Sequence, residues 1–286
     1  MSLIITVYVP KGIVMASDSR QWLIIKGKNL KGEDFRIETV DSDAVVKMFL
    51  LKNQQVGISN SGQGLPGDMP MGEHIKKFIK RELTSVDDVV TIPKKLVGYF
   101  RKSFGNITIG FHVAGYKKED EVSIPYVYYC DVEQNVIERK NIKPDGSLVY
   151  GVTWYGQTDI LASIFNPVTV KDEKGNEKII RSPKSIIWDE MGLQDAIDFS
   201  IYAIRITIDT MRFQARSKDV GGPIDVLLLT PEEVKWIQNK ELHISKYPQK
   251  ISMNQLISWG ASYFNDRGIE RYRETLRQIL KQGKYD

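Results

Sequence analysis

Seven residues near the start, Leu3-Ile4-Ile5-Thr6-Val7-Tyr8-Val9, run almost without polar interruption, and four more, Ile13-Val14-Met15-Ala16, do the same after Pro10-Lys11-Gly12. β-branched and aromatic residues favour extended chain, and the Pro-Lys-Gly turn folds the second run back on the first. A strand that faces water on one side alternates in polarity; these two do not. They are read as an antiparallel hairpin with both faces covered, which restricts the chain to folds with packed layers above and below a sheet.

The remaining pattern agrees with such a fold. Lys26–Glu38 is rich in Lys, Gly and Glu and is read as a polar loop. Val45–Leu51 and Val56–Ser59 form a second hairpin, closed by Ser61-Gly62-Gln63-Gly64. Apolar residues at helical spacing predict a helix over Gly72–Leu83 and another over Ser85–Phe104, where Pro93 signals a kink or break. Strands are expected at Asn106–Ala114, Tyr126–Asp131 and Val136–Lys140. A short helix is expected at Thr158–Phe165, a charged turn at Lys171–Asn176, a long helix over Leu193–Ala215 and a buried strand at Ile224–Leu229. Strand runs separated by helix runs, with hairpins, predict an α+β fold of antiparallel sheets carrying helices outside. The domain reading is 2–238 for this body and 239–286 for a helical extension, with helices across Pro248–Lys284 started by Ser252 and Gln255.

Composition narrows the function classes. The single cysteine, Cys130, excludes an intrachain disulfide and fits a reducing cytoplasm. His74, His112 and His243 lie far apart, so no Cys/His zinc site is expected and no metal or cofactor is called for. No apolar run reaches the roughly 18–20 residues of a membrane helix, and the N-terminal pattern is not that of a secretory signal. From Asn239 onward Lys and Arg number nine against five Asp and Glu, which accounts for the whole net charge of +4. Their signs alternate, as on a solvated helix face, and no nucleic-acid partner is inferred.

The chemistry begins at Ser2. Removal of Met1 would leave a serine carrying a hydroxyl and an α-amine on adjacent carbons. A serine hydroxyl needs a base, and an α-amine with an ordinary pKa of about 7.7–8.0 can serve as one. Such a pair needs a cation, an acid to hold that cation, and a backbone N–H for the oxyanion. Lys47 sits in an otherwise apolar stretch, Asp18 ends the second strand, and Gly62 sits at a bend. Met-Ser starts are common and most such serines merely lead a tail, so the spacing by itself leaves both readings open.

Taken together, Ser2 through Asp18-Ser19-Arg20, Lys47-Met48, Ser61-Gly62, Gly110–Tyr116 and Val220-Gly221-Gly222-Pro223-Ile224-Asp225 resemble, in order, the proteasome β-subunit and HslV group of N-terminal-nucleophile (Ntn) hydrolases over about residues 2–230. The resemblance implies a four-layer αββα sandwich and cleavage of peptide or amide bonds through an acyl-enzyme on Ser2. It implies Asp18, Lys47 and Gly62 as catalytic partners and Arg20, Ser61, Gln157 and Ser217 as supporting residues. It further implies a peptide or protein substrate and a homo-oligomer, ring assembly included.

The departures are specific. Serine stands where threonine is usual. About a dozen residues are inserted between Arg20 and Lys47, as a longer hairpin at the site mouth. Gln157 replaces a serine, and Ser217 and Val220 occupy the places of an acid and a serine that support the amine, with Asp219 out of register. Two other readings of the same residues stand beside hydrolysis. One is connectase-like amide transfer, suggested by the C-terminal extension; the other is a non-catalytic assembly or binding subunit that keeps Met1. His112 and Cys130 are read as core, Trp154 and Tyr155 as packing, and Met69–Met71 as a loop over the substrate channel.

Overall fold

A computed structural model of the chain describes residues 2–28, 34–171, 175, 177–182 and 184–240. The expected C-terminal helices lie outside the described residues. The opening runs form β1 (Leu3–Val9) and β2 (Gly12–Ser17), antiparallel, with Ile4 opposite Ser17 and every residue of both buried. The predicted polar loop is instead a two-stranded ribbon, β3 (Gln21–Lys28) paired with β4 (Asp34–Ser42). The β-branched Ile24, Ile25, Ile37, Thr39 and Val40 outweigh the polar count there.

Next come β5 (Met48–Leu51) and β6 (Val56–Gly62), so Lys47 stands just before its strand rather than within it. Helix α1 spans Met71–Glu82 and α2 spans Ile92–Phe104. Pro93 marks a start, not a kink: it occupies the first turn of α2, where its missing N–H is harmless. Residues before it are held by Asp87, which accepts from the Thr84 N–H at 2.7 Å and the Thr91 hydroxyl at 3.1 Å.

The chain continues through β7 (Ile109–Glu119), β8 (Val122–Asp131), β9 (Val136–Arg139), β10 (Gly151–Gly156), α3 (Asp159–Phe165), β11 (Val168–Lys171), β12 (Glu177–Arg181), α4 (Leu193–Phe213), β13 (Asp225–Leu229) and β14 (Val234–Gln238). Two five-stranded antiparallel sheets result, ordered β10-β1-β2-β13-β14 and β5-β6-β7-β8-β9. The fold is mixed α and β, with several antiparallel sheets and, among the described residues, helices α1–α4.

Side-chain alternation explains the uninterrupted apolar pattern of β1 and β2. Leu3, Ile5, Val7, Val14 and Ala16 pack with Ile160, Leu161, Ala196 and Ile204 of α3 and α4. Tyr8, Ile13 and Met15 pack the other way, with Met48 of β5, Ala114 of β7 and Val127 of β8. Each large side chain so buried contributes roughly 1.5–3 kcal/mol relative to exposure. Helices α1 and α2 cover the second sheet through Ile75, Phe78, Leu96 and Phe100.

A fully buried polar contact between the two sheets involves a histidine: Thr6 Oγ1 of β1 meets His112 Nδ1 of β7 at 2.9 Å. Burial, helped by the Lys140 charge, lowers the His112 pKa to about 3. The unfolded imidazole, with an ordinary pKa near 6.5, therefore takes up a proton that the folded one refuses. Stability is fully present above about pH 6.5 and is lost toward pH 3, at about 1.4 kcal/mol per pH unit. Urea unfolding at pH 7 and pH 5 is expected to show this loss in the wild type and a smaller one in His112→Gln. Cys130 is likewise inert core, its thiol pushed up to about 12 by burial.

Candidate active site

The Asp18 carboxylate is the hub. It is fully buried where β2 ends, and four donors satisfy it. Oδ1 accepts the Leu3 N–H at 3.0 Å and Lys47 Nζ at 2.8 Å; Oδ2 accepts the Arg20 N–H at 3.2 Å and the Gly221 N–H at 3.0 Å. Asp18 thereby ties the start of β1, the segment before β5 and the turn before β13 to one point. Lys47 Nζ also donates to Arg20 O at 2.5 Å, and its side chain is 5% exposed. Burial draws the Lys47 pKa below the usual lysine range; the Asp18 charge and hydrogen bond oppose this, a nearby Lys240 charge adds to it, and Asp219 resists it.

Ser2 is held through its backbone. Its carbonyl accepts the Gln157 N–H at 2.8 Å and the Ser61 hydroxyl at 3.3 Å. Gly156 makes this approach possible, while Gly62 lets β6 end close against Thr108 and Ile109. Gly156 has φ +106°, and a Cβ there would lie 1.9 Å from Ser2 O; Gly62 has φ +115°, and a Cβ there would lie 2.3 Å from Thr108 O. An L-residue at φ this positive costs about 1–3 kcal/mol before any clash. Gly156→Ala is therefore expected to destabilise the fold by at least that much and to displace Ser2, read as a lower urea midpoint together with lost reactivity at residue 2.

A cavity of about 40 Å³ is lined by Ser2, Arg20, Trp22, Lys47, Asn60 and Gly62, among others. Ser2, Lys47 and Gly62 thus meet at one hollow, with Asp18 directly behind Lys47. Gln21, Val45, Val46, Gly64 and Met71 are shared with a larger groove of about 690 Å³, whose walls include Met48, Phe49, Leu65, Ile75 and Trp236. Met71, the first residue of α1, lines both spaces.

The supporting residues divide. Ser61 and the backbone of Gln157 hold Ser2, while the Gln157 side chain donates to Asp159 at 2.5 Å. Arg20 lines the cavity, but its guanidinium is taken up by Asp43 at 2.6 and 2.8 Å and Lys218 O at 3.0 Å. Ser217 is not brought to Ser2; its hydroxyl donates to Glu38 of β4 at 2.7 Å. Neighbouring Asp219 is buried instead and acts on Lys47. Asn60, Asp43 and Asp219 were not singled out as site residues from the sequence. Asp219 carried a signal there, standing out of register beside the place of a supporting acid.

Among the described residues no cluster of three or more His, Cys, Asp or Glu side chains could hold a metal ion, and no helix is long and apolar enough to cross a membrane. No family model matches the sequence, and no curated protein does. Solved structures do match. The Anbu (Gly-1) mutant from Hyphomicrobium sp. strain MC1 aligns over 100% of this chain and 98% of its own, at TM-score 0.50 and 12% identity. Anbu, described as an ancestral beta-subunit, from Yersinia bercovieri aligns over 98% of this chain and 97% of its own, at TM-score 0.50 and 11% identity. At these identities the likeness is one of fold.

Proposed function

We propose that this chain is a proteasome-like Ntn hydrolase, a four-layer αββα sandwich that cleaves peptide or amide bonds through an acyl-enzyme on Ser2 after loss of Met1. The observation that carries the reading is the buried Lys47, fastened to Asp18 at 2.8 Å and opening on the same hollow as Ser2 and Gly62. A lysine this buried is costly and is kept where its charge or its proton is used. The fold shared with an ancestral beta-subunit points the same way.

In the proposed cycle the Ser2 hydroxyl oxygen attacks the substrate carbonyl carbon while its proton passes to the Ser2 α-amine. Lys47 stabilises the negative charge that develops, and the Gly62 N–H binds the oxyanion. The carbon–nitrogen bond breaks, and the proton goes from the α-amine to the leaving amine. Water then adds to the acyl carbon, and the acyl–oxygen bond breaks to free the acid and restore the Ser2 hydroxyl. The largely apolar groove beside the hollow suits a peptide carrying an apolar side chain.

The test is to follow a mixture of short peptides by mass spectrometry with and without excess amine. Free acids with or without amine support hydrolysis. New amides formed with the added amine assign the chain to amide transfer instead. Absence of any cleavage overturns both.

A further inference from the structure

The two pairs of helices carry opposite charge. Helices α1 and α2, which cover the second sheet, hold eight Lys and Arg against two Glu. On the first sheet, α3, α4 and the single turn Trp188–Glu190 hold six Asp and Glu against two Arg. Some of this charge is met within the chain: Lys76 pairs with Glu73, Lys95 with Asp87, and Asp159 with Arg216. Among the described residues, Lys94 and Lys102 of α2 and Asp198 and Asp209 of α4 are exposed and have no ion-pair partner.

The shapes match as the signs do. Residues three or four apart stand on one side of a helix. On α2 this spacing lines up Lys94, Gly98 and Lys102, all exposed. A glycine inside a helix weakens it relative to alanine, and packing within the chain does not require this one: a Cβ at Gly98 would meet no atom within 4 Å. On α4 the same spacing lines up Asp195, Asp198, Tyr202 and, past Arg205, Asp209. Tyr202 is 46% exposed, a large aromatic ring in the middle of an acidic stripe. A bare glycine between lysines and a projecting tyrosine between aspartates are a hole and a knob of opposite charge, and aromatic residues are favoured at such contacts.

We propose that these two faces bind each other in separate copies of the chain, with Tyr202 of one copy set against Gly98 of the next and Asp198 and Asp209 beside Lys94 and Lys102. The contact joins unlike surfaces, so each copy keeps one free face of either sign and copies add head to tail. Pairing of like faces would set lysine on lysine or aspartate on aspartate, which their charge opposes. In the sandwich proposed above the two faces are its opposite outer sides; the inference rests on that arrangement and not on the chemistry at Ser2.

The test is sedimentation velocity of the full chain over a range of concentrations, at about 0.01 M and about 1 M salt, where charges act over roughly 30 Å and 3 Å. The wild type is expected to reach about twice the monomer mass or more at low salt and to dissociate at high salt. Lys94→Glu/Lys102→Glu and Asp198→Lys/Asp209→Lys are each expected to stay monomeric alone. Mixed in equal amounts they are expected to associate again, because each reversed face then meets a face of opposite sign. Gly98→Gln, which favours the helix, is expected to raise the urea midpoint and lose association. A wild type that is monomeric at low salt overturns the proposal and leaves the two faces to other partners. A reversed variant that still associates alone shows like faces in contact and overturns it. So does a mixture that stays monomeric while both variants keep the wild-type urea midpoint, or Gly98→Gln associating as the wild type does. None of these outcomes bears on peptide turnover, which is measured separately.

Discussion

Ser2→Ala is expected to lower amide-bond turnover by about a thousandfold or more while leaving the urea midpoint unchanged. Removing the nucleophile of an acyl-transfer enzyme typically costs several orders of magnitude in rate. The fold does not depend on the hydroxyl, because the contacts that seat Ser2 run through its carbonyl, to the Gln157 N–H and the Ser61 hydroxyl. Alanine is also small, so Met1 removal is undisturbed and only the hydroxyl is lost. Ser2→Thr, which keeps a hydroxyl at the same place, is expected to retain turnover. Wild-type rates in Ser2→Ala would exclude Ser2 as the nucleophile.

Lys47→Met is expected to do two things at once. It removes the charge that stabilises the developing oxyanion, a loss of about a hundredfold to a thousandfold in rate. It also leaves the Asp18 carboxylate buried without its cation, which costs about 3–5 kcal/mol. Asp18 is not wholly stranded, since three backbone N–H groups still donate to it. The two effects separate in Lys47→Met/Asp18→Asn, where no unpaired charge remains. That double variant is expected to recover most of the urea midpoint and none of the turnover. Recovery of both would make the pair a structural device rather than part of a reaction.

The hairpin of β1 and β2 was legible because burial on both faces leaves an unbroken apolar run. Strands β10 and β14 were not, and both stand at the edges of their sheet. Edge strands carry weaker patterns: in Val234–Gln238 only Val234 and Trp236 are half-buried and the rest are exposed, and Gly151–Gly156 mixes Gly with Thr and Trp. Composition reads the ribbon of β3 and β4 as a loop because its charges dominate a count that ignores β-branching, whereas the resemblance, which marks the insertion as a longer hairpin, agrees with it.

At the candidate site, position beside recognisable elements makes Ser2, Asp18, Lys47 and Gly62 candidates and the resemblance singles them out; the fold brings Ser2, Lys47 and Gly62 to one hollow, with Asp18 bonded to Lys47. Ser217 was named by position alone. The inserted ribbon supplies Glu38, and the Ser217 hydroxyl goes there. The pairs Arg20–Asp43 and Lys240–Asp225 link residues whose spacing forms no motif, so only the folded chain brings them into view.

The covalent state of the N-terminus decides the central claim. Intact-mass spectrometry of the protein isolated from its own cell, before and after an electrophilic peptide probe, reads it directly. The expected result is a chain lacking Met1 that gains one probe increment, mapped by peptide sequencing to Ser2. A chain that retains Met1, or a probe that leaves Ser2 unmodified, contradicts it and leaves the reading of a non-catalytic subunit in its place.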